Sequence, residues 1–157
     1  MSGGQLPRVR SAVTMIRGNG AGAVPDFIDT VAWVHVLNGR ILVARPRGKD
    51  VFYIPGGKRE GTESDLQALQ REIAEELTVT LLTGTVRHTR TYRAHQPGGH
   101  PAGALVRMSC YTGGYSGTLA PSSEIAELAW FCYADRPRVP AVDQLLFDDL
   151  RAAGQLH

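Results

Sequence analysis

The sequence predicts an α/β fold in which one mixed sheet carries a helix on each face. The first observation is the order of patterns along the chain: a strand-rich region, a helix, a second strand-rich region and a second helix. The second is that the 157 residues contain no internal repeat and no second hydrophobic unit, so one domain is expected. We assign this domain to residues 26–157. Residues 1–25 are glycine-rich and lack a sustained period, which favours a loosely ordered arm with a short strand over 11–17.

Composition and charge narrow the function classes. The chain is 43% apolar and 20% charged, as ordinary globular proteins are, with a net charge of only +2. Its basic residues are scattered, so a nucleic-acid partner is not expected. Cys110 and Cys132 form no CxxC spacing and are interpreted as reduced core cysteines. The first ten residues are polar and the longest apolar run, 30–37, is far short of the ~20 residues of a membrane helix. We therefore expect a cytoplasmic protein without a membrane partner.

The strands are predicted from short apolar or alternating runs. The runs 30–37 and 40–45 are joined by Asn38 and Gly39, the favoured pair for a tight hairpin turn. A short strand over 51–54 leads into Pro55. Further strands are expected over 79–82, 85–93, 104–112 and 128–133. A closing helix over 141–153 should pack on the sheet through an apolar stripe of Val142, Leu145, Leu146 and Leu150.

The first helix is predicted over residues 64–77. At about 100° per residue, its apolar residues fall on one narrow stripe. Ser64, followed three residues later by Gln67, is a capping box that starts the helix. The residues of the stripe are Leu66, Leu69, Ile73 and Leu77.

Three acidic side chains, Glu72, Glu75 and Glu76, lie on the flank of that stripe. Acidic side chains at this spacing repel one another, and the C-terminal end of a helix is unfavourable for anions. The arrangement becomes favourable when a hard divalent cation lies against the carboxylates, because Mg²⁺ takes oxygen ligands. The sequence therefore predicts a metal site at this helix.

The loop before the helix suits a phosphate chain. Gly56 and Gly57 can adopt backbone angles that are closed to other residues, which allows close approach to a ligand. Lys58 and Arg59 add positive charge beside them. A second basic loop contains Arg45, Arg47 and Lys49, which either reach a substrate phosphate or form a solvated turn.

The stretch 57–79 resembles the signature of the Nudix hydrolase family. Eight of its nine specified positions are in register. One position departs, because Thr78 stands where the family has glycine. A left-handed helix cap there would cost a β-branched residue about 1–2 kcal/mol, so we expect the helix to end differently. The matching residues are Gly57, Glu63, Arg71, Glu72, Ile73, Glu75, Glu76 and Val79.

The resemblance implies an α/β/α sandwich and a pyrophosphohydrolase that depends on Mg²⁺ or Mn²⁺. Such enzymes hydrolyse a diphosphate bond in a nucleoside diphosphate linked to another moiety, by attack of water on phosphorus. It also implies that Arg71 orients a catalytic carboxylate, with Glu63 as its candidate partner. A further acid beyond the signature often serves as ligand or general base. Glu124 is the preferred candidate and Glu127 the alternative. The implied metal ligands are Glu72, Glu75, Glu76 and the carbonyl of Gly56.

Two other functions on the same fold stay open. One is a non-catalytic module that binds a nucleotide, although such modules usually lose signature glutamates. The other is a prenyl diphosphate isomerase. It would need a reactive cysteine, whereas the alternating pattern around Cys110 indicates a core residue. The substrate is not identified, and homodimers are common in the family. Two sets of residues also keep two interpretations. The tyrosines Tyr53, Tyr92 and Tyr115 either stack on a base or serve in packing, and the loop histidines His95 and His100 either select the substrate or are solvated.

Overall fold

The computed structural model describes residues 15–16, 27–96 and 103–157. The β1 strand (Met15–Ile16) lies within the strand predicted over 11–17. The rest of the predicted arm lies outside the described residues, so the division at residues 25 and 26 stays a prediction. The other strands are β2 (Phe27–Trp33), β3 (Val36–Leu37), β4 (Arg40–Pro46), β5 (Gly56–Lys58), β6 (Thr80–Leu81), β7 (Arg87–His95), β8 (Leu105–Thr112), β9 (Tyr115–Ser116) and β10 (Ile125–Phe131), and the α-helices are α1 (Asp65–Leu77) and α2 (Ala141–Ala152).

The sheet around β2 is mixed, as predicted. β2 pairs in parallel with β8 and antiparallel with β1 and β5, and β7 pairs antiparallel with the far side of β8. β4 lies between β3 and β10 in a second sheet, and β6 pairs with β9. The prediction treated the glycine pair as loop, but the pairing of Gly56 with Ala32 makes it part of β5.

The strand predicted over 30–37 is interrupted, because the chain passes from one sheet to the other. The Val34 amide donates to the Tyr111 carbonyl at 2.8 Å, and the His35 carbonyl accepts from the Leu42 amide at 2.9 Å. The predicted turn is confirmed, with φ of 52° at Asn38 and 75° at Gly39. Residues of both sheets pack into the same two hydrophobic cores, one on each side of the sheets.

Alternate side chains divide the apolar residues between two cores. Val31 and Trp33 of β2 pack beneath α1, whereas Ile28 and Ala32 of the same strand pack beneath α2. The alternation predicted for 104–112 is confirmed, since Val106, Met108 and Cys110 all face α2. A helix therefore covers each face, as expected.

The α1 helix begins with the predicted capping box, but the conformation of its C-terminal cap differs from the prediction. The Ser64 hydroxyl accepts from the Gln67 amide at 3.1 Å, and the Gln67 side chain accepts from the Ser64 amide at 2.9 Å. Its last residue is Leu77, and Thr78 takes the left-handed cap with φ of 62°. The expectation of a different helix end is wrong. The Thr78 hydroxyl donates to the Thr118 carbonyl at 2.9 Å, which offsets part of the conformational cost.

The buried face of α2 is rotated from the predicted stripe. Leu145 is 37% exposed, whereas Asp143 and Phe147 are buried beside Val142 and Leu146. At about 100° per residue, Leu145 lies about 130° from the centre of the buried face, which falls between Val142 and Asp143. Among the described residues, no helix is long and apolar enough to cross a membrane.

Candidate active site

Helix α1 brings two carboxylates to the edge of the core. Leu69, Ile73 and Leu77 are fully buried against the sheet and fix the rotation of the helix. Glu72 and Glu76 are four residues apart, so they lie one turn apart on the flank of this apolar stripe. Glu76 is only 5% exposed. A helix that buries a carboxylate at this depth needs a compensating ligand or proton.

Glu124 reaches the same place from a distant loop. The amides of Ala120 and Ser122 donate to the last carbonyls of α1, at 3.1 Å to Leu77 and 3.0 Å to Glu76. These bonds hold the loop 118–124 on the helix end, where orphan carbonyls need donors. One oxygen each of Glu72, Glu76 and Glu124 lies within 4.8 Å of the others, and we call this group the carboxylate trio.

The glycine pair leaves no room for a side chain. Gly56 has φ of 149°, and a Cβ atom there would lie 2.0 Å from the Val31 carbonyl oxygen. A Cβ atom at Gly57 would lie 2.6 Å from the carboxyl carbon of Glu72. The backbone of Gly56 is also hydrogen-bonded to Glu76. The loop therefore touches the trio directly, and only glycine permits that approach.

Arg71 holds Glu72 from the other side. Its Nε and Nη2 donate to the two oxygens of Glu63 at 2.8 and 2.9 Å, which is a bidentate pair. Its Nη1 donates to Glu72 at 2.9 Å, and Nη2 also donates to the Lys58 carbonyl at 3.0 Å. Arg71 thus bridges Glu63 and Glu72, in the arrangement that the resemblance implied.

The electrostatics of the trio favour a cation. Burial raises the pKa of Glu76 well above its ordinary value, and the negative charges of Glu72 and Glu124 raise it further. Burial likewise raises the pKa of Glu72, although Arg71 opposes the shift. A divalent cation would take the place of protons on these carboxyls. The donor set is entirely oxygen, which fits Mg²⁺ or Mn²⁺.

Two predicted acids lie away from the trio. Glu75 is 51% exposed on its side chain and lies 3.6 Å from Arg71 Nη1. Glu127, the alternative to Glu124, lies 3.5 Å from Arg45 Nε and is half-exposed. The structure therefore brings together Glu72, Glu76 and Glu124 but not these two.

The predicted phosphate-binding residues have different surroundings. Arg59 donates to Asp29 at 3.0 Å and lies 3.4 Å from Asp65. Arg107 also donates to Asp29 through Nε and Nη2, at 3.1 and 2.8 Å. Arg59 is thus held by carboxylates, which its position in a basic loop did not indicate.

The other basic residues lie at the end of β4, next to the Glu124 loop, and on β5. The Arg47 amide donates to the Glu124 carbonyl at 2.8 Å, and its side chain is exposed. Arg45 donates to the Lys49 carbonyl at 3.1 Å. Burial lowers the pKa of Lys58, and the charge of Lys49 lowers it further. Arg47 therefore lies next to the segment that carries Glu124, and Lys58 lies on the strand that contains the glycine pair.

Several residues weighed from sequence lie in structural contacts. The Tyr92 hydroxyl donates to Asp149 at 2.7 Å, and Tyr115 packs edge-on against Trp33. Tyr53 lies beneath the Lys49 ammonium group, 5.6 Å from its ring centre. The His95 ring is 2.9 Å from the Gly103 carbonyl oxygen, whereas His100 lies outside the described residues.

Cys110 bears on the isomerase alternative. It is fully buried in the core beneath α2. Burial raises its thiol pKa to about 12, with a further contribution from Asp143. A thiol that stays protonated is not a reactive nucleophile. The structure therefore disfavours an isomerase that uses this cysteine.

Sequence reasoning missed Asp143, a buried acid on α2. Its Oδ2 accepts from the Ile54 amide at 3.0 Å, and the residue is 3% exposed. The available signal was the spacing of residues 142, 143, 146, 147 and 150, which places Asp143 on the buried face of the helix.

Comparison with known proteins extends these observations. The NUDIX domain profile matches residues 27–148. A search of curated proteins found no significant match. The chain is similar to the solution structure of the E. coli ORF135 protein, with 28% identity and a TM-score of 0.60. That match covers 81% of this chain and 92% of the other.

Two further solved structures share the fold. The MutT NUDIX hydrolase from Burkholderia pseudomallei is 22% identical with a TM-score of 0.62, over 77% of this chain and 95% of that one. A bifunctional NMN adenylyltransferase/ADP ribose pyrophosphatase from Francisella tularensis is 17% identical with a TM-score of 0.60, over 83% of this chain and 43% of that one. At these identities the likeness shows the fold alone.

Proposed function

This chain belongs to the NUDIX family and is a Nudix pyrophosphohydrolase; from that premise we propose that it hydrolyses a diphosphate bond in a nucleoside diphosphate linked to another moiety. In this proposal water attacks phosphorus with the help of Mg²⁺ or Mn²⁺. The observation that carries the proposal is the carboxylate trio, in which Glu72, Glu76 and Glu124 converge within 4.8 Å. Three carboxylates in mutual repulsion beside a glycine loop form a site for a cation and its phosphate ligand.

Glu72 and Glu76 are the proposed metal ligands that the geometry supports best. A bound divalent cation would neutralise charge on the diphosphate and on its leaving group. Glu76 is buried and hydrogen-bonded to the backbone of Gly56, so its carboxylate is held in place. We propose the carbonyl of Gly56 and the exposed Glu75 as additional ligands, with Glu75 the more peripheral of the two.

Glu124 is the proposed general base. It lies on a loop beside the two helix carboxylates, and it is the member of the trio that does not come from α1. In the reaction, a water oxygen forms a new bond to phosphorus while the bond to the bridging oxygen breaks. Glu124 accepts the proton of that water. Arg71 keeps Glu72 oriented through its bidentate pair with Glu63.

The substrate phosphates are proposed to lie over the glycine loop. Arg47 and Lys58 are the preferred contacts, because Arg47 is exposed beside Glu124 and Lys58 belongs to β5. Arg45 is proposed to support the basic loop 46–50, because it donates to the Lys49 carbonyl. Arg59 is proposed to contribute mainly by anchoring the loop, since Asp29 and Asp65 hold its guanidinium.

A panel of nucleotides tests the function. It contains nucleoside triphosphates, oxidised guanine nucleotides, ADP-ribose, nucleotide sugars and dinucleoside polyphosphates. Each is incubated with Mg²⁺, with Mn²⁺ or with chelator, and Glu76→Gln serves as the blank. The expected result is metal-dependent cleavage of one class that is absent in the blank. Binding of a nucleotide without cleavage would instead support the non-catalytic module.

A matched pair of variants tests the base. Glu124→Gln should lower kcat by about 100-fold or more, because general base catalysis contributes about 100- to 10,000-fold. Glu127→Gln is the control, because Glu127 lies against Arg45 and outside the trio. Equal rates for the two variants, measured at saturating metal, would remove Glu124 from the proposed mechanism.

A further inference from the structure

The segment that enters the glycine loop is held by four different elements. The Phe52 amide donates to the Arg138 carbonyl at 3.1 Å, and the Tyr53 amide donates to the Ala44 carbonyl of β4 at 2.9 Å. The Ile54 amide donates to Asp143 of α2 at 3.0 Å. The Pro55 carbonyl accepts from the Trp33 amide of β2 at 2.8 Å. Each of the four consecutive residues 52–55 is therefore hydrogen-bonded to a different part of the fold.

Among these four hydrogen bonds, the one at Ile54 alone uses a side chain. Tyr53 makes a single bridge to β4 and not a ladder, and within the part of the chain that the structure describes the Ile54 amide donates to Asp143 and not to a strand. Asp143 lies in the first turn of α2, and its helix has no side-chain N-cap bond at Pro140. Burial of this carboxyl is unfavourable unless it is hydrogen-bonded. The fold tolerates it because it satisfies an amide that has no strand partner.

The hydrogen bond between Ile54 and Asp143 lies two residues before Gly56, where the glycine pair begins to contact the carboxylate trio. Gly56 is hydrogen-bonded through its backbone to Glu76. Gly57 approaches so closely that an added Cβ atom would lie 2.6 Å from the Glu72 carboxyl carbon. A shift of the loop by a few tenths of an ångström would therefore move or release both helix carboxylates. Catalytic geometry is sensitive to displacements of this kind.

We propose that Asp143 is a positioning residue, which fixes the glycine loop against Glu72 and Glu76 from the opposite face of the sheet. The inference rests on the proposed function, because its consequence is the geometry of the metal site. Asp143 acts through the Ile54 amide and touches neither substrate nor metal. An oxygen acceptor is all that this role requires.

Three variants test the proposal. Asp143→Ala removes the acceptor, and Asp143→Asn keeps an oxygen of the same shape. Leu146→Ala weakens the packing of the same helix but leaves Asp143 in place to accept from the Ile54 amide. The measurements are Mn²⁺ affinity by calorimetry, amide hydrogen exchange of residues 54–58, and kcat and KM on the substrate found in the panel. The first two do not depend on turnover.

The expected outcomes separate positioning from simple stability. Asp143→Ala should weaken Mn²⁺ binding by about 10-fold or more and lower kcat more than it changes KM, as loss of a supporting contact does. It should also speed amide exchange in residues 54–58, and Asp143→Asn should restore most of each property. Leu146→Ala should lower Tm with Mn²⁺ affinity unchanged.

Other outcomes overturn the inference. Wild-type Mn²⁺ affinity and exchange in Asp143→Ala would do so, as would an equal loss of Mn²⁺ affinity in Leu146→Ala. Failure of the proposed function would be seen elsewhere, as a wild-type protein that binds Mn²⁺ with no turnover of any nucleotide. Should Asp143→Ala not fold, Asp143→Leu takes its place, because it removes the acceptor for the Ile54 amide and fills the same space with an apolar side chain. The same loss of Mn²⁺ affinity is then expected, and wild-type Mn²⁺ affinity in Asp143→Leu would overturn the inference.

Discussion

Two buried carboxyls on opposite faces of one sheet differ in what surrounds them. Glu76 of α1 is 5% exposed and Asp143 of α2 is 3% exposed. Glu76 is surrounded by other carboxylates, which raise its pKa beyond the effect of burial. Asp143 faces the Ile54 amide and the buried thiol of Cys110. Similar burial therefore has different chemical meaning on the two faces.

The difference shows that the groups around a buried acid, and not its burial alone, indicate its role. A carboxyl among carboxyls gains when a cation arrives, because the cation relieves repulsion and desolvation together. A carboxyl beside a backbone amide is already satisfied as an acceptor and needs no cation. We therefore expect the two residues to respond differently to the same amide substitution and to metal.

The largest expected effect is on turnover. Glu76→Gln should reduce kcat by more than about 100-fold, since even indirect partners of metal ligands cost 10- to 100-fold. The fold should persist, because the amide removes a repelled negative charge. Steady-state kinetics together with circular dichroism check both parts. Turnover at the wild-type rate would contradict the metal assignment and make Glu76 a structural residue like Asp143.

A smaller effect is expected from metal on thermal stability. At 100 times its Kd, a bound cation stabilises the native state by about 2.7 kcal/mol, which is about 5–10 °C in Tm for a domain of this size. Scanning with Mn²⁺ against chelator should show this rise in the wild type and in Asp143→Asn, but not in Glu76→Gln. A rise that survives in Glu76→Gln would place the cation elsewhere.

The smallest effect concerns pH and stability. Burial raises the pKa of Asp143 from 3.8 to about 7. Between these values the native state keeps a proton that the unfolded state has lost, so the free energy of unfolding falls as pH rises. Asp143→Asn does not lose stability in this way, and its Tm relative to wild type should rise by about 2–4 °C between pH 6 and pH 7, where the wild type loses about 1 kcal/mol. A constant difference in Tm would show that Asp143 titrates normally.

The sequence predicted those parts of the site whose residues lie close together in the chain. The spacing of Glu72 and Glu76 on one helix and the capping box at Ser64 are set within a few residues, and the structure places them as predicted. Glu124 was chosen for its position before a strand, and the structure brings it to the helix carboxylates. Local patterns thus predicted most of the trio.

Contacts between distant segments were not predictable in the same way. Arg59 was assigned to substrate phosphate from local charge, yet Asp29 meets it because β5 pairs with β2. Asp143 went unnoticed because its partner is a backbone amide 89 residues away. Glu75 is adjacent to Glu76 in sequence, but its side chain is half-exposed next to Arg71 and is not part of the trio. Such partners depend on the tertiary fold.

The bonds between the loop 118–124 and the end of α1 have a dynamic consequence. Ala120 and Ser122 donate to the same carbonyls that terminate the helix, so the last turn and the Glu124 loop form one cooperative opening unit. We expect fraying of that turn to move Glu124, the proposed base, and Glu76, a proposed metal ligand, in a single event. Thr78, with its left-handed backbone, lies at the joint and lowers the free energy of that opening. We expect this turn to open more often with threonine at residue 78 than with glycine, which takes the left-handed backbone without strain.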